Sequence, residues 1–338
     1  MQNNTKIFLN NGYAIPTNGF GCYKLEAGQD AYNAVVDAIK VGYRHIDTAW
    51  SYNNEKSVGE AIKYCIENKI VKREELFVTT KLTDLQQGYN NALEAFKESI
   101  ENLGLEYIDA WLIHTPGRNN KNWQELNIDT WRAMEKIYRE GRVKVIGLSQ
   151  FEIQHLAPLL YRAEIKPMIN QLEIHPQFQQ RELVEYCREN DIQVSGWGAL
   201  NQGLALKIPL LNELAQKYDK TVSQICIRWQ LQLGMVPISR SRNLKHIKQN
   251  FEVNDFEISD EDMQMIAALD NKFHWYSAYG NYFEAKKEDE NEMIYNKKVK
   301  LFGFIPFLEV KKENNRITRC YMFGIPLLKI DTKSLKNS

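Results

Sequence analysis

Five polar residues of this 338-residue chain have types and an order that suit one reaction. They are Asp47 and Tyr52 in RHIDTAWSYNNE, Lys81 in FVTTKL, His114 in IDAWLIHTP and Gln171 in INQLEIHP. A tyrosine titrates near 10 and is a weak acid at neutral pH. A lysine ammonium beside it favours the phenolate and draws that value down. An aspartate can hold the lysine in place, and a histidine can hydrogen-bond a carbonyl oxygen. Such a set would protonate a carbonyl as a hydride reaches its carbon. Side chains cannot supply a hydride, so a nicotinamide cofactor is implied.

Taken singly, most of these residues have a plainer use. Asp47 could cap a loop, Tyr52 could pack, and His114 could be a satisfied structural histidine; Lys81, inside a strand pattern, is harder to dismiss. Their common placement decides the matter. Asp47, Lys81 and His114 each end a short apolar, β-branched stretch, so parallel strands would present them at one rim, where α/β enzymes keep their chemistry.

The elements that must position them follow in alternation. Residues 20–24, 43–49, 76–82, 107–114, 143–149, 167–174, 192–200 and 235–239 read as eight strands. Amphipathic stretches such as AYNAVVDAIKVG, NALEAFKESIENLG and RELVEYCREN lie between them. The first two end on glycine, as helix C-termini favour. Eight strand–helix units predict a (β/α)8 TIM barrel. The opening IFLNNGYAIP, with Asn-Gly between apolar runs, predicts a short N-terminal hairpin. A doubly wound sheet would need GxGxxG after its first strand, and Gly19-Phe20-Gly21 stops short of it.

Composition allows one large core: 43% of residues are hydrophobic, and Lys+Arg and Asp+Glu are both 43. That balance suggests neither a nucleic-acid nor an acidic partner. Five scattered cysteines never form CxxC, and the six histidines form no HExxH, so no metal is expected. The N-terminal stretch lacks a basic, then apolar leader, and no apolar run is long enough to span a bilayer. A cytoplasmic protein acting on a small molecule is the expectation.

Residues 5 to about 275 resemble an aldo-keto reductase, with GYRHIDTAWSYNNEKSVGEAIK similar to that family's most specific signature. The resemblance implies an NADPH-dependent carbonyl reductase with Tyr52 as proton donor, Lys81 and Asp47 as its activators, and His114 orienting the carbonyl. It carries over the nucleotide contacts too. Arg240 and Ser241 would meet the 2′-phosphate, with Arg242 beside them and His246 where an arginine is usual. Asn250 would meet the adenine, Trp197 would cover the nicotinamide face, and Gln171 would bind its carboxamide. Ser149-Gln150 stands where Ser-Asn is usual. Gly198-Ala199 replaces Ser-Pro in the pyrophosphate loop, whose Leu200 is a further expected contact. Tyr23, Trp50, His114 and Thr115 would form an altered substrate pocket. Two alternatives remain open: a non-catalytic cofactor-sensing or interaction subunit, and sugar isomerisation with an internally recycled nicotinamide.

The chain divides, on this reading, into a barrel over 1–280 and an extension over 281–338. EAKKEDENE reads as a charged linker. KLFGFIPFLEV (300–310) and YMFGIPLLKI (321–330) form a near-repeat, read as two β-strands joined by the polar, turn-prone KKENNRITRC. Residues 297–338 hold ten Lys/Arg against three acids, favouring an anionic surface. A hairpin is marginal alone, so self-association, packing on the barrel or peripheral membrane contact is expected of it. The repeat also resembles tails of some bacterial surface-glycan enzymes, which brings sugar derivatives among the expected substrates.

Overall fold

A computed structural model of the chain describes residues 5–117 and 122–274, and the backbone of three strands beyond them. Two compact units divide it, Met1–Tyr282 and Phe283–Ser338. In the first, all eight expected strands form: β3 (Gly19–Gly21), β4 (His45–Asp47), β5 (Phe77–Leu82), β6 (Ile108–Ile113), β7 (Val143–Ser149), β8 (Ile169–Glu173), β9 (Gln193–Trp197) and β10 (Val236–Ser239). Each pairs in parallel with the next, and β10 pairs with both β9 and β3, so the sheet closes into a barrel. Helices α1 (Gln29–Val41) to α9 (Leu244–Phe251) alternate with these strands, and α10 (Asp260–Ala267) follows. The fold is the TIM barrel that the periodicity implies.

The first barrel strand is displaced from the 20–24 expected of it, and the reason is steric. At the β3–β10 seam a Cβ on Gly19 would lie 2.4 Å from Ile238 Cδ1, and one on Gly21 2.9 Å from Ile238 Cγ2. Only glycine permits that approach, so Gly19-Phe20-Gly21 closes the barrel. Cys22 and Tyr23 are left to the loop above.

The N-terminal hairpin is present as β1 (Lys6–Phe8) and β2 (Ala14–Pro16), paired antiparallel. Its loop caps the N-terminal end of the barrel. Asn10 Nδ2 donates to Pro167 O at 2.9 Å, Asn11 Nδ2 to Lys144 O at 2.9 Å, and the Tyr13 hydroxyl to Asp109 at 3.1 Å. These partners precede or open strands β6 to β8. The end opposite the site is thus sealed by a few polar anchors over buried Leu9 and Ile15.

In the second unit, β11 (Leu308–Glu313), β12 (Arg316–Met322) and β13 (Ile325–Leu328) form an antiparallel meander. This corrects one expectation: most of KKENNRITRC is strand, not connector. In this stretch the β-branched and aromatic residue types at 317, 318 and 321 favour strand over the turn reading. The linker and the rest of the repeat lie outside the described residues. Among the described residues, no helix is long and apolar enough to cross a membrane.

Candidate active site

The site grows from the C-terminal ends of adjacent strands. Side chains alternate along a strand, so His45 and Asp47 of β4, and Thr79 and Lys81 of β5, share one face. They form two storeys. In the lower, His45 Nε2 and Thr79 Oγ1 are 2.9 Å apart. Burial holds the His45 imidazole down at about 4, so it is neutral at pH 7 and adds no second cation beneath Lys81. In the upper, the fully buried Lys81 Nζ donates to Asp47 Oδ1 at 2.7 Å and to Thr48 O at 2.8 Å. Gln171 Nε2, from β8 across the barrel, donates to Asp47 Oδ2 at 2.8 Å. Each carboxylate oxygen thus has a donor, as a buried charge requires.

Tyr52 closes a 3-10 turn, Trp50–Tyr52, that follows β4. The turn swings its half-buried ring over the ion pair, with Lys81 Nζ 5.1 Å from the ring centroid. The His114 ring lies edge-on at 5.5 Å and Tyr23 at 5.1 Å. His114 directly follows β6, and its backbone N–H donates to Leu82 O at 3.0 Å. Its Nδ1 lies 3.3 Å from the Ser51 hydroxyl.

One expectation is reversed here. The Tyr52 phenol is not drawn down: burial first, and the Asp47 carboxylate second, hold it well above the ordinary tyrosine range. The ammonium is matched by Asp47 at contact distance, so Tyr52 meets an ion pair and not an isolated cation. A neutral phenol results, one that keeps its proton through the physiological range.

A cavity of about 760 Å³ runs from this cluster across the rim. Such a volume falls within the range usual for small-molecule and cofactor sites. Its lining includes twelve of the residues expected from sequence: Tyr23, Asp47, Tyr52, His114, Thr115, Ser149, Gln150, Gln171, Trp197, Leu200, Arg240 and Asn250. Lys81, fully buried and bonded to Asp47, is not itself part of the lining. Trp50, Ser241 and His246 are not part of the lining, and His246 is exposed on α9.

The far end departs from the phosphate cradle that Arg240, Ser241 and Arg242 were expected to make. The backbone N–H groups of Lys245 and His246 are already capped by Asn243 Oδ1, at 2.9 and 3.4 Å. Ser241 Oγ accepts from Asn243 N at 3.0 Å. Arg242 turns away to Asp30, at 2.9 Å. Exposed Arg240 has no carboxylate within 4 Å among the described residues. Desolvation and the Arg242 charge both oppose its protonated form, an electrostatic load that an anion would relieve.

Several lining residues were not anticipated. Ser223, in α8 (Val222–Gln232), donates its hydroxyl to Asn250 Oδ1 at 2.7 Å, which turns the amide nitrogen of Asn250 as the remaining donor. Gln202 and Gly203 line the cavity from a turn in which both have positive φ, 51° and 96°. Ser51, Thr83 and Asp84 border the Tyr52 end. The one available signal was position: Thr83 and Asp84 follow Lys81 beyond the end of β5. Among the described residues, no cluster of three His, Cys, Asp or Glu could hold a metal.

These residues fit a nicotinamide dinucleotide. An aromatic face (Trp197), amide groups (Gln150, Gln171) and a hydroxyl (Ser149) lie near the Tyr52 cluster, and a cation and an amide donor (Arg240, Asn250) lie at the other end of the same cavity.

Comparison with known proteins agrees. A family model described as Aldo/keto reductase family matches residues 19–271. The chain is 45% identical over 263 residues to glyoxal reductase of Bacillus subtilis, covering 78% of this chain and 92% of that protein. It is 42% identical over 266 residues to 9,11-endoperoxide prostaglandin H2 reductase of Trypanosoma cruzi, covering 78% and 90%. Its structure resembles a crystal structure of Bombyx mori aldo-keto reductase in complex with NADP, with a TM-score of 0.74 and 34% identity over 80% of this chain and 94% of that one.

Proposed function

The chain belongs to the aldo/keto reductase family, and from that premise we propose that it is an NADPH-dependent carbonyl reductase with Tyr52 as its proton donor. One observation carries the reading. A protonated tyrosine, flanked by His114 and seated on a buried Lys81–Asp47 pair, opens into the same cavity as Trp197, Arg240 and Asn250. The substrate is an aldehyde or ketone, sugar derivatives included.

A bound reduced nicotinamide would supply the hydride to the carbonyl carbon. Trp197 would cover the ring, Ser149, Gln150 and Gln171 would meet its carboxamide, and Leu200 would border the pyrophosphate. Arg240 would meet the 2′-phosphate and Asn250 the adenine. If Ser51 donates to Nδ1 of His114, the imidazole proton stays on Nε2, and His114 can donate to the carbonyl oxygen. Tyr52 would then transfer its phenolic proton to that oxygen. A raised phenol pKa does not obstruct this step. The developing alkoxide is a base comparable to hydroxide and far stronger than a phenolate, so the transfer is downhill from an unactivated phenol. Lys81 contributes afterwards, by stabilising the phenolate, and Asp47, gripped by Gln171, keeps Lys81 in place.

A panel of carbonyl compounds that includes sugars and sugar acids, followed by NADPH absorbance, tests this directly. Turnover of at least one aldehyde or ketone is expected. NADPH binding without reduction of any would favour a cofactor-sensing role instead.

We treat residues 281–338 as a separate extension that mediates self-association or peripheral contact. Truncation after Tyr282 is expected to leave NADPH binding intact and to change sedimentation of the protein alone or with anionic vesicles. Loss of NADPH binding would make the extension part of the barrel fold.

A further inference from the structure

Arg242 stands three residues beyond β10 and beside the proposed 2′-phosphate site, yet its contacts lie on the other side of the barrel seam. Its Nε is 2.9 Å from Asp30 Oδ2, and its Nη2 donates to Lys24 O at 2.7 Å, with Glu26 Oε1 at 3.8 Å. Asp30 is itself held, accepting from Glu26 N at 2.8 Å. The segment that Arg242 grips is the loop after β3, which carries Tyr23 and Lys24 into the cavity.

That loop hangs between two polar anchors. On its inner side, buried Asn54 donates to Cys22 O at 2.9 Å and to Leu25 O at 3.0 Å. On its outer side is Arg242. Between them Lys24 has φ 60°, a left-handed conformation that a lysine holds only where its surroundings impose it. A guanidinium suits the outer anchor because its planar fork can meet a carboxylate and a carbonyl at once; a lysine ammonium cannot reproduce that geometry.

We propose that Arg242 is a positioning residue: a strap that ties the loop after the last barrel strand to the loop after the first, and so fixes Tyr23 against Tyr52. It does not act as a phosphate ligand. Its consequence for substrate and nucleotide rests on the reductase reading above, while the strap itself does not. Half-exposed ion pairs contribute little to global stability, so the effect should be local.

Amide hydrogen exchange of the nucleotide-free, full-length protein reads the strap alone. Arg242→Met should raise exchange across residues 22–28 by roughly tenfold and leave β5 and β6 as they were. Asp30→Asn, a milder change that keeps the fold safe, should do the same to a smaller degree. Titration with NADPH and NADH reads the consequence: both dissociation constants should rise by one common factor, on the order of threefold to tenfold. The double variant should be no worse than Arg242→Met. KM for the carbonyl substrate should rise while kcat stays close to wild type. A loss confined to NADPH would make Arg242 a phosphate ligand and overturn the strap. Unchanged exchange over residues 22–28 would overturn it too. Wild-type protein that binds neither nucleotide would refute the reductase reading, and the exchange experiment would still decide the strap.

Discussion

At one end of the cavity the Lys81–Asp47 pair of the proposed catalytic set is held by other buried groups; at the other, the groups that would meet the nucleotide sit on loops and a helix start. Lys81 and Asp47 are 0% and 3% exposed, and Gln171 reaches Asp47 from the opposite wall. Arg240 and His246 are exposed, and Arg242 and Asn243 are engaged by the protein's own atoms. The difference is one of dielectric. A buried ion pair without its partners costs several kcal/mol, so the catalytic end has a single arrangement. An exposed cation in water is nearly indifferent to its partner, so the nucleotide end can be rebuilt at little cost. Changes at the first end should therefore damage chemistry and stability together, and changes at the second should move affinity alone.

The sharpest break is Lys81→Met. It leaves the Asp47 carboxylate buried with its main counter-charge gone, a loss of about 3–5 kcal/mol in stability. Turnover should fall by about 10²–10⁴ as the Tyr52 phenolate loses its cation. Thermal unfolding and steady-state rates check the two parts, and a variant as stable as wild type would mean that the pair is not the keystone described here.

Arg240→Met should show the contrasting behaviour. Hydrogen bonds to charged groups contribute about 1.5–3 kcal/mol, so NADPH should bind roughly ten- to a hundredfold more weakly. NADH affinity and kcat at saturating cofactor should hold. Equal weakening of both cofactors would remove Arg240 from the 2′-phosphate.

A smaller effect concerns the floor under the catalytic pair. Folding lowers the His45 pKa from 6.5 to about 4. Between those values the unfolded chain takes up a proton that the folded chain refuses. Stability from this group is thus complete at neutral pH and falls as pH drops through that window, by about 2 kcal/mol near pH 4.5. The buried His155, also lowered to about 4, adds a separate loss of the same sign. The fall in Tm between pH 7 and pH 4.5 should accordingly shrink in His45→Asn. An undiminished fall would place the acid sensitivity elsewhere.

The same contrast decides what could be read from the chain beforehand. The convergence of Asp47, Lys81 and His114 at one rim was legible because each polar residue closes an apolar strand pattern. Eight strands were legible for a related reason, since parallel strands buried on both faces read as apolar runs. The Arg242–Asp30 pair was not legible: Asp30 lies at the start of α1, and no local spacing connects two segments that meet only when β10 closes on β3. Ser223 was missed because its role depends on Asn250, on a different helix. The Tyr52 pKa was misjudged because Lys81 was weighed without the burial of the phenol and without the Asp47 charge that sits 2.7 Å from the ammonium. Charges read singly from sequence lack their counter-charges.

Tyr52→Phe tests the central claim most directly, because it removes one oxygen and keeps the ring between Lys81, His114 and Tyr23. The measurement is kcat for carbonyl reduction at saturating NADPH, alongside the NADPH dissociation constant of the same variant. The account predicts a fall in kcat of about 10²–10⁴ with NADPH affinity unchanged. Near-normal kcat in a variant that still binds NADPH would contradict it, and the proton would have to come from another group.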